Sequence, residues 1–199
     1  MSLPLYKLTI NEDENAPQEV TAVALVDMPA IGENFFAFKD QKQQFAVVNE
    51  DERILVGAAM IPDMPIYRKD PDGTEYNVVF DKQTIQKIAL KFFEKGYQKN
   101  ANEQHDSDKP VNVTIFQSWI ADESKGIPKM DQFKDLPDGT WFIGMKVNDE
   151  AQWSKVKDGT FKGFSVEGLF KMTPLKMSAQ PEAIFSQIKA MLQSALDAG

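Results

Sequence analysis

Hydrophobic and polar residues alternate with a period of two over much of this chain, the signature of strands with one buried face. Tyr6–Ile10 and Glu19–Val26 read as two strands joined by the polar loop Asn11–Gln18. Arg53–Ile61, R-I-L-V-G-A-A-M-I, is a strongly apolar strand with Gly57 at a bulge or a close approach, and Pro62 and Pro65 end it. Asp70-Pro71-Asp72-Gly73 begins like a calcium loop but lacks the later ligands and the distal glutamate, so it predicts a turn into the strand Tyr76–Phe80. Val111–Ile120 alternates again, and Pro137-Asp138-Gly139 turns the chain into the strand Thr140–Val147. Asp158-Gly159 is a tight-turn dipeptide ahead of a strand over Phe161–Met172. On that strand Phe161, Gly163, Ser165 and Glu167 share one face, and Lys162, Phe164, Val166 and Gly168 the other.

Three stretches carry the helical period instead. Asp81 caps a helix reaching to about Tyr97, with Ile85, Ile88, Ala89, Phe92 and Phe93 forming one apolar stripe and Gly96 near its end. Asp149–Val156 is a short helix with Trp153 and Val156 inward. After a linker, Pro174–Pro181, the stretch Glu182–Asp197 is an amphipathic helix with Ile184, Ile188, Met191, Leu192 and Ala195 on one face. It lies on the domain or pairs with a partner helix; the pattern fits both. Between these elements, residues 26–38 are broken by Pro29 and Gly32, and Phe35, Phe36 and Phe38 call for burial against the body of the protein. Lys39–Gln44 is polar and reads as a mobile linker, Asn100–Pro110 as a polar loop, and Ala121–Leu136 as a charged loop. The sum is an α+β protein with an antiparallel or mixed barrel-like sheet of about seven strands flanked by helices. Residues 1–172 make the domain, and 173–199 the linker and tail helix.

Composition narrows the function. A formal net charge of −8 argues against a nucleic-acid partner, because phosphate contacts need clustered Lys and Arg. No apolar run approaches the roughly 20 residues of a membrane span, and Met1–Ile10 has no signal-peptide pattern. The chain has no cysteine, which removes disulfides, thiol nucleophiles and thiolate metal sites together and fits a reducing cytoplasm. It has one histidine, His105, so a zinc site would rest on one imidazole and carboxylates. Neither a metal nor a cofactor is expected. Glycine-rich phosphate loops and a G-x-S-x-G elbow are both missing.

What remains is a hydroxyl and a carboxylate on one strand face, Ser165 and Glu167, and a lone imidazole sixty residues earlier in the chain. Serine–histidine chemistry needs a base within reach of the hydroxyl and a third group to orient the base. The base can only be His105. Each residue also has a structural reading, Ser165 as a small filler on a strand and His105 as an exposed loop residue. Asp106 and Asp108 offer paired-carboxylate chemistry as an alternative.

Several ordered motifs then carry a resemblance: A-L-V-D-M-P-A-I (24–31), M-I-P-D-M-P-I-Y-R (60–68), N-E-Q-H-D (102–106), L-P-D-G-T-W-F-I-G-M-K-V (136–147) and K-G-F-S-V-E-G (162–168). Together they resemble the XkdF-type phage serine proteases, over most of the chain up to about Phe170. That family is similar to the tailed-phage prohead proteases, which are grouped with the herpesvirus assemblins. The resemblance implies the assemblin-like fold and a prohead maturation endopeptidase. It would act on capsid scaffold and major capsid precursor proteins inside the procapsid, within the host bacterial cytoplasm. It also implies His105 as general base and Ser165 as nucleophile, with backbone N–H groups at the oxyanion. Assemblins use a second histidine as third member, and this chain has none, so a carboxylate must substitute: Glu167 is chosen, over Asp106 and Glu182. Assemblins also place arginines near the oxyanion, whereas neither Arg53 nor Arg68 is next to the nucleophile here. The same analogy implies a homodimer, and a scaffold region after the protease as in its relatives. The competing expectation is a non-enzymatic capsid-assembly protein that keeps the fold.

Overall fold

The computed structural model describes residues 3–10, 19–26 and 45–175. Their elements run β1 (Leu5–Thr9), β2 (Val20–Val26), β3 (Ala46–Asn49), β4 (Ile54–Met60), β5 (Ile66–Lys69), β6 (Glu75–Val79), α1 (Lys82–Glu94), β7 (Ala101–Glu103), β8 (Asp106–Pro110), β9 (Val113–Ile120), β10 (Trp141–Val147), α2 (Glu150–Lys157), β11 (Gly163–Gly168) and β12 (Lys171–Pro174). The expectations for the loop 11–18, the phenylalanine-rich segment, the 39–44 linker, the C-terminal helix and Glu182 lie outside the described residues.

The class is α+β, as the periodicities predict, but the strands do not close into a barrel-like sheet of about seven. They form three open four-stranded sheets, ordered β12-β1-β6-β5, β3-β4-β10-β9 and β11-β2-β7-β8. Pairing is antiparallel apart from two parallel pairs, β1 with β6 and β2 with β7. The stretch Phe161–Met172 is therefore two strands in two sheets: β11 pairs with β2, and β12 with β1. The break falls where Gly168 sits at a register shift beside β2 and Leu169 N–H donates to the Glu19 carbonyl, 3.0 Å away. Asp158-Gly159 is likewise not a hairpin turn. It ends α2, with the Asp158 N–H donating to the Ser154 carbonyl and Gly159 in the left-handed region at φ 78°. The loop expected over Asn100–Pro110 is the β7–β8 hairpin.

Helix α1 forms where its cap and stripe predict. The Asp81 carboxylate accepts the Thr84 N–H at 2.8 Å, which satisfies one of the four free donors at the helix start. Ile85, Ile88, Ala89 and Phe92 are buried in the main core with Val23, Leu25 and Trp141. Phe92 meets the Trp141 ring edge-to-face at 5.6 Å. In α2, Trp153 and Val156 are buried as their spacing predicts. Gly57 is a close approach: a Cβ there would lie 2.9 Å from the Phe45 Cα, so only glycine lets β4 pass that backbone. The Asp70–Gly73 stretch is a turn, with Asp72 accepting the Thr74 N–H at 2.9 Å. The core and α1 thus brace one side of β2, the strand from which the candidate site is organised.

Candidate active site

Strand β2 lies between β11 and β7, and its register sets the site. Ser165 of β11 sits opposite Ala24, and Ala24 sits opposite Asn102 of β7. Directly opposed residues project from the same face of a sheet, so Ser165, Ala24 and Asn102 make one row across three strands. Glu167, two residues beyond Ser165 and opposite Ala22, projects on that face as well. The two alanines between the polar positions keep the face low. The Asn102 Nδ2 crosses it to donate to Glu167 Oε2 at 2.8 Å.

His105 reaches the same carboxylate from the end of β7. Its Nδ1 lies 3.9 Å from Glu167 Oε2, an ion-pair distance longer than a hydrogen bond. Glu103 and Asp106 pair across the hairpin, leaving Gln104 and His105 as a two-residue turn with φ of 52° and 62°. Turns with both central residues at positive φ favour Asn-Gly or Asp-Gly, because a Cβ is strained there by about 1–2 kcal/mol. Holding Gln and His in that conformation fixes the direction in which the imidazole leaves the backbone. Strain of this kind gathers at functional sites.

Ser165 is 5% exposed. With its strand neighbour Val166 it lines a cavity of about 40 Å³ beside β11, shared with Met60, Ile66, Arg68, Phe80 and Phe170, room for one small group, since a water takes about 30 Å³. Arg68, distant from Ser165 in sequence, therefore stands in the wall of a cavity that Ser165 also lines. β5 positions it: Arg68 pairs with Tyr76 of β6, and its Nη1 donates to the Tyr67 carbonyl at 3.0 Å. Desolvation lowers its pKa from the usual guanidinium value, an environment in which an anion is attracted strongly. Arg53 is elsewhere, paired with Glu150 of α2.

The alternative carboxylates are engaged differently. Asp106 is bound by Lys109 at 2.8 Å and accepts the Asp108 N–H at 3.0 Å. The Lys109 hydrogen bond, then the Asp108 N–H, hold its carboxyl below the ordinary range. Glu167 Oε2 lies 3.9 Å from the imidazole, while the Asp106 carboxylate is held by Lys109. A larger groove of about 700 Å³ crosses the β3-β4-β10-β9 sheet, but Lys129 is the one titratable residue in its lining, and it is held by Glu123 at 3.1 Å and Asp138 at 2.8 Å. Chemistry favours the smaller cavity. Among the described residues no helix is long and apolar enough to cross a membrane, and no group of three or more His, Asp or Glu could hold a metal ion.

Sequence reasoning missed Asn102 and Arg68. Asn102 offered no signal beyond its place in N-E-Q-H-D, because its partner is 65 residues away. Arg68 was hidden by the same kind of separation. Neither a curated protein nor a solved structure matches this chain significantly. The model of one family, described as "Putative phage serine protease XkdF", matches residues 42–173. That span is well over half of the chain, and it contains Arg68, Asn102, His105, Ser165 and Glu167. The lone imidazole, the strand serine and its neighbouring carboxylate all lie inside the matched region, and the chain belongs to the XkdF family that carries this description.

Proposed function

We propose that this protein is a prohead maturation endopeptidase, with Ser165 as nucleophile, His105 as general base and Glu167 as the group that orients the base. The observation that carries the reading is the convergence of His105 and Glu167, 3.9 Å apart, on the sheet face that presents Ser165. With Nδ1 turned to the Glu167 carboxylate, the imidazole keeps its proton there and leaves Nε2 as acceptor. Ser165 Oγ attacks the scissile carbonyl and its proton passes to His105 Nε2. The oxyanion forms in the cavity walled by Arg68, whose guanidinium complements the developing charge along with backbone N–H groups. Collapse of the tetrahedral intermediate breaks the C–N bond, and His105 gives its proton to the leaving amine. Water, deprotonated by His105, then releases the acyl group and restores Ser165.

The substrates under this reading are capsid scaffold and major capsid precursor proteins, met inside the procapsid. A direct test follows cleavage of the co-expressed scaffold or capsid precursor by wild type, Ser165→Ala and His105→Ala. Wild type is expected to cut, and both folded variants to be silent. Equal cleavage by all three would reject the pair. Binding of the precursor by all three without any cleavage would favour a non-enzymatic assembly role.

A further inference from the structure

We infer that Asn102 is a positioning residue for this site: its side-chain N–H holds the Glu167 carboxylate toward His105, extending Ser165-His105-Glu167 by a fourth member. The inference rests on the serine-protease reading. Asn102 is 6% exposed, and its Nδ2 donates to Glu167 Oε2, the same oxygen that lies 3.9 Å from His105 Nδ1. One oxygen thus faces both the amide and the imidazole. A carboxylate on a flexible side chain, partly exposed at the sheet surface, needs such a tether to keep one orientation.

The other end of the amide shows what the tether demands. Asn102 Oδ1 is buried and has no hydrogen-bond partner. A buried acceptor left unpaired is unfavourable, and an asparagine kept for shape alone would be replaced at no loss by an apolar residue. Turning the amide over would bring Oδ1 against the carboxylate oxygen and strand the N–H instead. The charge on Glu167 therefore fixes which way the amide points, and the amide in turn fixes the carboxylate. Neighbouring charges have other partners: Lys155 Nζ donates to both Glu103 oxygens at 2.7 Å, and Lys109 binds Asp106. No lysine among these competes for the Glu167 oxygen.

The test reads the rate at which a fluorophosphonate probe labels Ser165 in the full-length protein. Oγ displaces fluoride from phosphorus, and the serine proton leaves through His105. Asn102→Ala is expected to slow labelling about 10-fold, as loss of an orienting partner commonly does. Asn102→Asp, which keeps the shape and loses the donor, is expected to slow it at least as much. In a Glu167→Gln background, Asn102→Ala should add no further loss, because the amide acts only through that carboxylate. A purely structural role would instead lower the melting temperature and multiply with Glu167→Gln. Labelling of Asn102→Asp at the wild-type rate, or independent losses in the double variant, would overturn the inference while leaving the protease reading in place. A folded wild type that the probe does not label would remove both.

Discussion

Gly168→Ala tests the junction on which the site depends. Gly168 ends β11 at a register shift against β2, directly after Glu167. A Cβ at this position would lie 2.2 Å from the Glu19 carbonyl oxygen and 2.8 Å from the Val20 Cα, both backbone atoms. Backbone cannot rotate away as a side chain can, so β11 and β2 must part by about 1 Å at this half-buried end of their pairing. Overpacking of this kind costs about 1–3 kcal/mol. The hydrogen bond from Leu169 N–H to the Glu19 carbonyl, at 3.0 Å, would stretch and lose about 1 kcal/mol more. A loss of about 3 kcal/mol follows, which for a chain of this length lowers the melting temperature by roughly 10 °C. Urea unfolding monitored by tryptophan fluorescence, with calorimetry alongside, measures it. Gly73→Ala is the control: its Cβ would meet nothing within 4 Å, and only the positive φ of 89° opposes it, at about 1 kcal/mol. If Gly168→Ala unfolds at the same urea concentration as wild type, or is no weaker than Gly73→Ala, the close contact between β11 and β2 described above is wrong.

Arg68→Ala should slow fluorophosphonate labelling about 100-fold with Ser165 and His105 intact, the scale for loss of one oxyanion donor; unchanged labelling in the folded variant would take the guanidinium out of the mechanism. Asp122 gives a pH prediction. Hydrogen bonds from Lys125 at 2.8 Å, Ser124 at 2.6 Å and Lys82 at 3.0 Å, in that order of effect, hold its carboxyl far below the ordinary range. Since the folded pKa lies below the unfolded one, this contribution is fully present above about pH 4 and is lost progressively as pH falls further. Asp122→Asn should therefore be less stable than wild type at pH 7 and show a shallower decline below pH 4; parallel curves for the two proteins would contradict this.

Elements set by local chemistry were legible in the sequence. Asp81 and the Ile85–Phe92 stripe define α1 because cap and periodicity act over a few residues. Alternation alone placed Glu167 on the face of Ser165. The short strands β3 and β5 were not legible, since four residues carry too little periodicity to distinguish them from loop. The β7–β8 hairpin was missed for a different reason: Gln104-His105 occupies a turn that normally announces itself by Asn-Gly, so the strained residue concealed its own element. Asp158-Gly159 showed the converse, a turn signature that ends a helix. The three open sheets depend on pairings such as β1 with β12, between opposite ends of the described chain, which no window on the sequence contains. Asn102 and Arg68 became visible only once the fold had brought Asn102 to Glu167 and Arg68 into a cavity that Ser165 also lines.

The central place of β2 also bears on timing during synthesis. Its two hydrogen-bonded neighbours, β7 and β11, come from far along the chain, and Asn102 and Glu167 are themselves 65 residues apart. Contacts this distant form late, because the chain between them must first be ordered. A growing chain on the ribosome holds β2 and the histidine hairpin long before it holds β11. Ser165 can join the hairpin that carries His105 only after β11 has been made, so the candidate site is incomplete for most of synthesis.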